Sequence, residues 1–303
     1  MKFGKLDDIR GIDFQLPPLA ATNPLGLSGH PAARVQGYVG LPRWSSKEWL
    51  GELYPKGTKA GDYLAYYARS FNSIELNSTH YRSPSPEQVR TWYAASQPGF
   101  RFCPKLPQVI SHHRKLIDCR AELLRFTQAI VQFDDRLGHS FVQLHDSFGP
   151  ALLGNLRQFL DQWPAELPLA MEFRHPDWFE AHQLLPEAAD LLAARGVAPV
   201  ITDVAGRRDV LHHTLTAPAV MLRLVGNGLH ETDYQRADAW QARLQAWQRL
   251  GLDTVYLFAH QPGDLQAKTY GHYLIEGLDA LLPEPLPRPG LPREGGSQMR
   301  LFE

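Results

Sequence analysis

A (β/α)8 barrel is the fold class this sequence predicts, and three observations carry it. Eight short β-type runs occur in order along the chain. Amphipathic helical patterns fill most intervals between them, and the alternation occupies about 250 residues, the length such a barrel requires. No glycine-rich phosphate loop follows the first run, which weighs against the alternative of a doubly wound dinucleotide-binding sheet.

The first 36 residues, with Pro17, Pro18, Pro24, Gly26, Gly29 and Pro31, read as an irregular arm. The β-type runs follow at residues 37–40 (GYVG), 73–76 (SIEL), 100–103 (FRFC) and 140–144 (SFVQL). They continue at 169–173 (LAMEF), 198–202 (APVIT), 220–224 (VMLRL) and 254–258 (TVYLF). Helical patterns lie at DYLAYYARSF, SPEQVRTWYAA, AELLRFTQAIVQFDDRL, LLGNLRQFL, EAADLLAARG, RADAWQARLQAWQRLG and TYGHYLIEGLDALL. In the third of these, Leu123, Phe126, Ile130 and Phe133 recur on one face. Gly138, Gly196 and Gly251 stand where helices end. The sixth crossover, RRDVLHHTLTAP, is too short for a full helix and predicts a loop with one turn. The barrel is expected over residues 37–282, with a Pro/Gly-rich tail over 283–303.

A net charge of -1 gives no bulk attraction to nucleic acid or to acidic membrane, so any anion recognition has to be local. The opening MKFGKLDDIRG carries charges where a signal peptide needs an apolar core, and no run is long enough to span a bilayer. A cytoplasmic protein without a membrane partner is the expectation. Of the two cysteines, Cys103 lies in an apolar run and reads as a buried free thiol rather than half of a disulfide.

Polar residues collect where the runs end. The second run ends in Glu75 and Asn77, followed by His80 and Tyr81; the third ends at Lys105, with His112 soon after. The fourth supplies Gln143 and His145, and the fifth Glu172, Arg174 and His175. The sixth ends in Asp203, followed by Arg207 and Arg208. Arg223 lies in the seventh, and the eighth ends near His260 and Gln261. A sheet of continuous apolar runs does not tolerate isolated charges, whereas the strand C-termini of a barrel converge on the face where active sites sit. A charged pocket is expected there.

Seven segments carry a resemblance: YVGLPRWSSKEWLGELYP, FNSIELNSTHYRSPSPEQVRTWY, GFRFCPKLPQVISHH, FVQLHDSF, LAMEFRHPDWF, VITDVAGRRD and VMLRLVGNG. With them the chain resembles the YecE-like family of bacteria and archaea over roughly residues 37–282. The resemblance implies a TIM barrel and supplies no reaction. It departs from the family pattern at His80, where an aromatic is usual, and at Val225, where a histidine is frequent. LHDSF also replaces a proline-rich turn after Gln143.

Arg174, Arg223, Lys105, Arg207 and Arg208 form the candidate anion-binding set, because guanidinium forks match phosphate and carboxylate oxygens. The competing use of Arg174 and Arg223 is to pair internally with Glu75, Glu172 and Asp203. Asn77, Tyr81 and Gln143 complete the candidate substrate-binding set. Glu75, Glu172 and Asp203 are candidate proton-transfer residues, with His145 or His112 as acid. The same acids, with His80, His145 or His175, are the candidate ligands of a divalent metal; the surrounding cations and the lack of a tight ligand motif oppose that use. The sequence leaves any cofactor unidentified, a divalent metal being the one weighed and not favoured. Lys105 has a second use as a Schiff-base amine. Trp44, Tyr81, Trp92 and Trp178 are placed to stack on a base or sugar ring, Trp92 reading better as core. The pairs His112, His113 and His212, His213 read as surface loop. No nucleophile elbow is present, which sets acyl transfer aside. The expected function is that of a hydrolase or lyase acting on a phosphate-bearing substrate, a small anion or a nucleic-acid end. The alternative is a non-catalytic protein that recognises a phosphorylated partner.

The tail reads PEPLPRPGLPREGGSQMRLFE, too rich in proline and glycine to form a packed element. Gln298, Met299, Leu301 and Phe302 resemble the short peptide by which bacterial repair and replication proteins dock on the DNA sliding clamp. Arg300 departs from that motif. Leu301 and Phe302 are the expected apolar anchors and Gln298 the oriented hydrogen-bonding group. A tether of about 15 residues reaches roughly 45 Å when extended.

Overall fold

The computed structural model describes residues 4–19 and 26–291. Eight parallel strands line up in sequence order: β1 (Gln36–Leu41), β2 (Ser73–Leu76), β3 (Arg101–Pro104), β4 (Ser140–Gln143), β5 (Leu169–Glu172), β6 (Ala198–Asp203), β7 (Ala219–Val225) and β8 (Thr254–His260). β1 pairs with both β2 and β8, Tyr38 lying opposite Tyr256 in the latter ladder. β3 and β4 close the ring: Gly138 N–H donates to Phe102 O at 2.8 Å and Leu106 N–H to Phe141 O at 2.9 Å. The expected (β/α)8 barrel is the observed fold.

Among the described residues six helices of two turns or more run between the strands, and a seventh follows β8: α1 (Tyr63–Ser70), α2 (Pro86–Ala95), α3 (Arg120–Ile130), α4 (Leu153–Gln162), α5 (Pro186–Ala193), α6 (Glu231–Gln248) and α7 (Asp264–Asp279); a single helical turn, Ser78–Tyr81, follows β2. Their starts follow local chemistry. At α2, Ser85 Oγ accepts the Gln88 N–H at 3.2 Å, and Pro86 occupies the first turn, where its missing N–H costs nothing. The sixth crossover holds only the 3-10 turn Arg208–Val210, as its length predicts. The sequence pattern predicts one long helix through residue 137; instead α3 stops at Ile130 and continues as a 3-10 turn, Val131–Arg136. Asp134, whose φ of 47° lies outside the right-handed helical range, then ends the helical path within that turn.

Alternation along each strand makes two cores. Tyr38, Cys103, Phe141, Ala170, Val200, Met221 and Tyr256 fill the lumen. Val39, Ile74, Phe102, Val142, Met171, Ile201, Leu222 and Leu257 pack outward with residues of the helices. Full burial of each such large side chain contributes about 1.5–3 kcal/mol. Cys103 and Cys119 are both buried free thiols. No helix among the described residues is long and apolar enough to cross a membrane.

The arm is irregular but docked. Gly206 N–H donates to Gly4 O at 2.8 Å, and the Phe14 ring lies under Arg208 and Arg236, at 5.5 and 4.9 Å. Gly26 approaches so closely that a Cβ there would meet Ala217 N at 2.1 Å, so only glycine fits. At the other end, Leu286 N–H and the Arg288 guanidinium both bind the Asp279 carboxylate, which ties the first tail residues back to α7. Gln298, Met299, Leu301 and Phe302 lie outside the described residues.

Candidate active site in the barrel mouth

The period of two that fills the lumen with apolar residues places a polar layer one step further along. Glu75, Lys105, Gln143, Glu172, Thr202, Arg223 and His260 share the inward parity of the residues below them. Arg223 stands at the centre. Its Nε and Nη2 bind Glu75 Oε2 and Oε1 at 2.9 and 3.0 Å, and its Nη1 binds Glu172 Oε2 at 3.0 Å. Glu75 further accepts from Asn77 Nδ2 at 2.8 Å and pairs with His260 Nε2 at 2.9 Å. Glu172 accepts from Arg174 Nε at 2.8 Å and Gln143 Nε2 at 2.7 Å. Lys105 Nζ donates to Gln143 Oε1 at 2.7 Å. A continuous polar chain thus crosses the lumen from Lys105 through Gln143, Glu172, Arg223 and Glu75 to His260.

Electrostatics assign different roles to these groups. Burial alone would raise the Glu75 carboxyl, but Arg223 and His260 hold it well below the usual range. Burial acts likewise on Glu172, and Arg174 and Arg223 override it, to about 2. Both carboxylates are charged, Glu75 accepting from four donors and Glu172 from three, and neither is poised as a general base. Lys105 goes the other way. Burial, reinforced by Arg223 and opposed by Glu172 and Glu75, brings its ammonium down to about 7. Asn77 Oδ1 is buried and has no hydrogen-bond donor among the described residues.

Along the wall next to Lys105, three imidazoles stand edge to face: His80 with His112 at 4.9 Å and His112 with His145 at 5.2 Å between ring centres. His80 Nδ1 bonds Leu106 O at 2.8 Å. Burial lowers His80 to about 4 and His112 to about 3, so both rings are neutral at pH 7.

Of the residues expected to share the mouth, Glu75, Asn77, Lys105, Gln143, Glu172, Arg174 and Arg223 come together. Arg207 joins them at the rim, its Nη2 donating to Arg174 O at 2.6 Å and its Nε to Asp209 at 2.9 Å. Asp203 does not. Thr202 takes the inward position on β6, so Asp203 faces the helices, where Arg236 Nη1 at 3.0 Å, Trp240 Nε1 at 2.8 Å and Arg208 hold it. Arg208 is directed to the same outer cluster and to Gln15 O at 3.1 Å. His145 is exposed, its Nδ1 accepting the Ser147 N–H at 3.1 Å. Tyr81 lies beyond the His80 ring, 73% exposed. Trp178 is buried, and Trp92 packs on Phe133, as a core position does. His212 and His213, expected on the surface, are buried, with Phe179 stacked on His212 at 5.1 Å. Among the described residues no group of three or more His, Cys, Asp or Glu is arranged to hold a metal ion. With Asp203 on the other side of the strand and Arg223 between the two glutamates, the acids do not converge. His260 reads in the sequence only as a strand end; inward parity on β8, shared with Tyr256 and Phe258, is the signal that places it in the mouth.

Comparison with known proteins gives a consistent picture. The family model described as "Protein of unknown function DUF72" matches residues 38–293. The UPF0759 protein YecE of Escherichia coli O157:H7 is 32% identical over 275 residues, covering 85% of this chain and 98% of its own. Its counterpart in strain K12 is 31% identical with the same coverage. The crystal structure of a DUF72 family protein (EF0366) from Enterococcus faecalis V583 superposes with a TM-score of 0.64 at 17% identity, over 83% of this chain and 99% of that one. That likeness supports the fold alone. The resemblance carried by the seven segments and the family match agree: the chain belongs to the DUF72, YecE-like family.

Proposed function

We propose that the barrel mouth is the active site of a lyase acting on a phosphate-bearing aldehyde or ketone, with Lys105 as the imine-forming amine. The observation that carries this reading is a buried lysine near neutrality at a strand C-terminus, beside charged carboxylates already bound by arginine. At pH 7 a substantial fraction of Lys105 is free amine. Its Nζ attacks the carbonyl carbon and water leaves, giving an iminium that acidifies the neighbouring C–H. The His80 Nε2 lone pair takes that proton, and the phosphate on the next carbon departs with the bonding pair. Water then hydrolyses the unsaturated imine and returns the amine. Arg174 holds the phosphate, and the orphan Asn77 Oδ1 accepts a substrate hydroxyl. Hydrolysis by the carboxylates is the poorer reading, because Arg223 and its neighbours hold both carboxyls far below the range of a general base at pH 7.

Borohydride reduction tests it. Glyceraldehyde 3-phosphate with borohydride is expected to add a covalent mass to Lys105. The yield should rise as pH climbs through about 7, since deprotonation creates the nucleophile. Lys105→Arg should abolish the adduct. A wild-type protein that stays unmodified, or modification spread over surface lysines, would sink the proposal. The second reading, a non-catalytic protein that binds a phosphorylated ligand, is favoured by the internal neutralisation of Arg223; ligand-induced thermal stabilisation without trapping would select it. Docking on the DNA sliding clamp through Gln298, Met299, Leu301 and Phe302 is compatible with either reading.

A further inference from the structure

Next to the mouth, a cleft of ≈ 350 Å³ opens between the one-turn helix after β2 and α3. His80 forms part of its wall, with Tyr81, Arg82, His113 and Arg125 around it. Tyr81 is 73% exposed, an uncommon state for so large a ring, and nothing in the described chain covers it. Arg82 and Arg125 are exposed, and neither has an ion-pair partner among the described residues. The acid in the same cleft, Glu122, is already paired with Arg114 at 3.1 Å. One open aromatic face and two uncompensated guanidiniums are therefore presented together in a chain whose net charge is only -1.

We infer that this cleft binds a nucleotide unit, its base stacked on Tyr81 and its phosphate held by Arg82 and Arg125. Guanidinium forks match phosphate oxygens, and a tyrosine face accepts any base. A bare phosphate would leave the ring unused, and an aromatic ligand without charge would leave both cations unused. His80 joins the cleft to the mouth: its Nδ1 bonds Leu106 O, and the adjacent Thr79 Oγ1 donates to Lys105 O at 2.7 Å. A nucleotide seated here lies against His80, the residue that also stands on the wall of the mouth. This assignment concerns the cleft beside the proposed active site, and it stands whether or not Lys105 forms an imine.

The test is fluorescence anisotropy of a labelled thymidine octanucleotide titrated with the full-length protein. Saturable, salt-sensitive binding is expected. The Arg82→Ala, Arg125→Ala double variant should bind at least tenfold more weakly, and its log–log salt slope should be shallower by about 0.7 for each phosphate no longer neutralised. Tyr81→Ala should cost about tenfold and Tyr81→Phe nothing, because stacking needs the ring and not the hydroxyl. Competition separates the two sources: equal displacement by thymidine monophosphate identifies a free nucleotide, and affinity rising with oligomer length identifies a single strand. Absence of binding at low salt overturns the inference. So do variants that bind like wild type, or Tyr81→Ala unchanged while inorganic polyphosphate competes as well as the octamer. Borohydride trapping of glyceraldehyde 3-phosphate does not need the cleft, so failure of one assay leaves the other interpretable.

Discussion

Arg223 carries the heaviest electrostatic demand of any residue in the mouth. It is buried together with two carboxylates, one of which, Glu75, meets no other arginine or lysine in the salt bridges among the described residues. Replacing a buried ion network by apolar groups of similar volume is tolerated, whereas removing one member strands a charge and costs about 3–5 kcal/mol. Arg223→Met should therefore destabilise the protein by that amount in urea unfolding at pH 7. Adding Glu75→Gln should recover part of the loss, since the orphaned charge is then gone. A loss below about 1 kcal/mol for the single variant would mean that water reaches these groups and that the network is a surface feature. Arg174 is a different kind of residue: it meets Glu172 through Nε, at the edge of the network rather than between its two acids, which makes it the better candidate for an incoming anion.

β6 shows what a single element decides. Its alternation sends Val200 and Thr202 inward and Ile201 and Asp203 outward, so one residue of offset separates a mouth residue from a clamp on α6. Asp203 ties the strand to Arg236 and Trp240, and Asp203→Ala should cost about 1–3 kcal/mol, because Trp240 Nε1 is left without an acceptor while Arg236 keeps Asp233 at 2.8 Å. Differential scanning calorimetry should register this as a fall in Tm, with the yield of the Lys105 adduct retained at a temperature where the variant is folded. Strand positions are legible because parallel strands buried on both faces are short, continuous apolar runs, and those runs survive in the chain as VMLRL or TVYLF. The set of polar strand ends is legible for the same reason. What a polar residue faces is not, because inward and outward neighbours at a strand end are both polar and only counting back through the apolar lumen residues separates Thr202 from Asp203. His212 and His213 escape a sequence reading for another cause. They pack beneath a ribbon of Phe179–Glu180 against Gln183–Leu184, and two-residue strands are too short to leave any periodic trace.

At the scale of the whole molecule, the described residues of the arm and of the first part of the tail are held more closely than their composition indicates. The arm wraps the crossover between β6 and β7, and Arg288 fastens the tail to Asp279. Counted from Arg288, nine residues precede Gln298, an extended reach of roughly 28 Å at about 3.1 Å per residue, against the longer span expected from composition. A chain ending at residue 297 should lose all binding to the purified sliding clamp in surface plasmon resonance while melting at the wild-type temperature. Retained binding, or none by the full-length chain, would dispose of the docking idea. The bridge between Glu75 and Arg223 has a consequence for synthesis on the ribosome. Its two ends are 148 residues apart, so at roughly 5–20 residues per second the carboxylate waits about 7–30 s for its cation. A nascent chain that closed its first strands early would have to bury Glu75 unpaired, at a penalty its partial core cannot offset. The barrel is thus barred from settling half-made, and the last strands to emerge decide when the first ones lock.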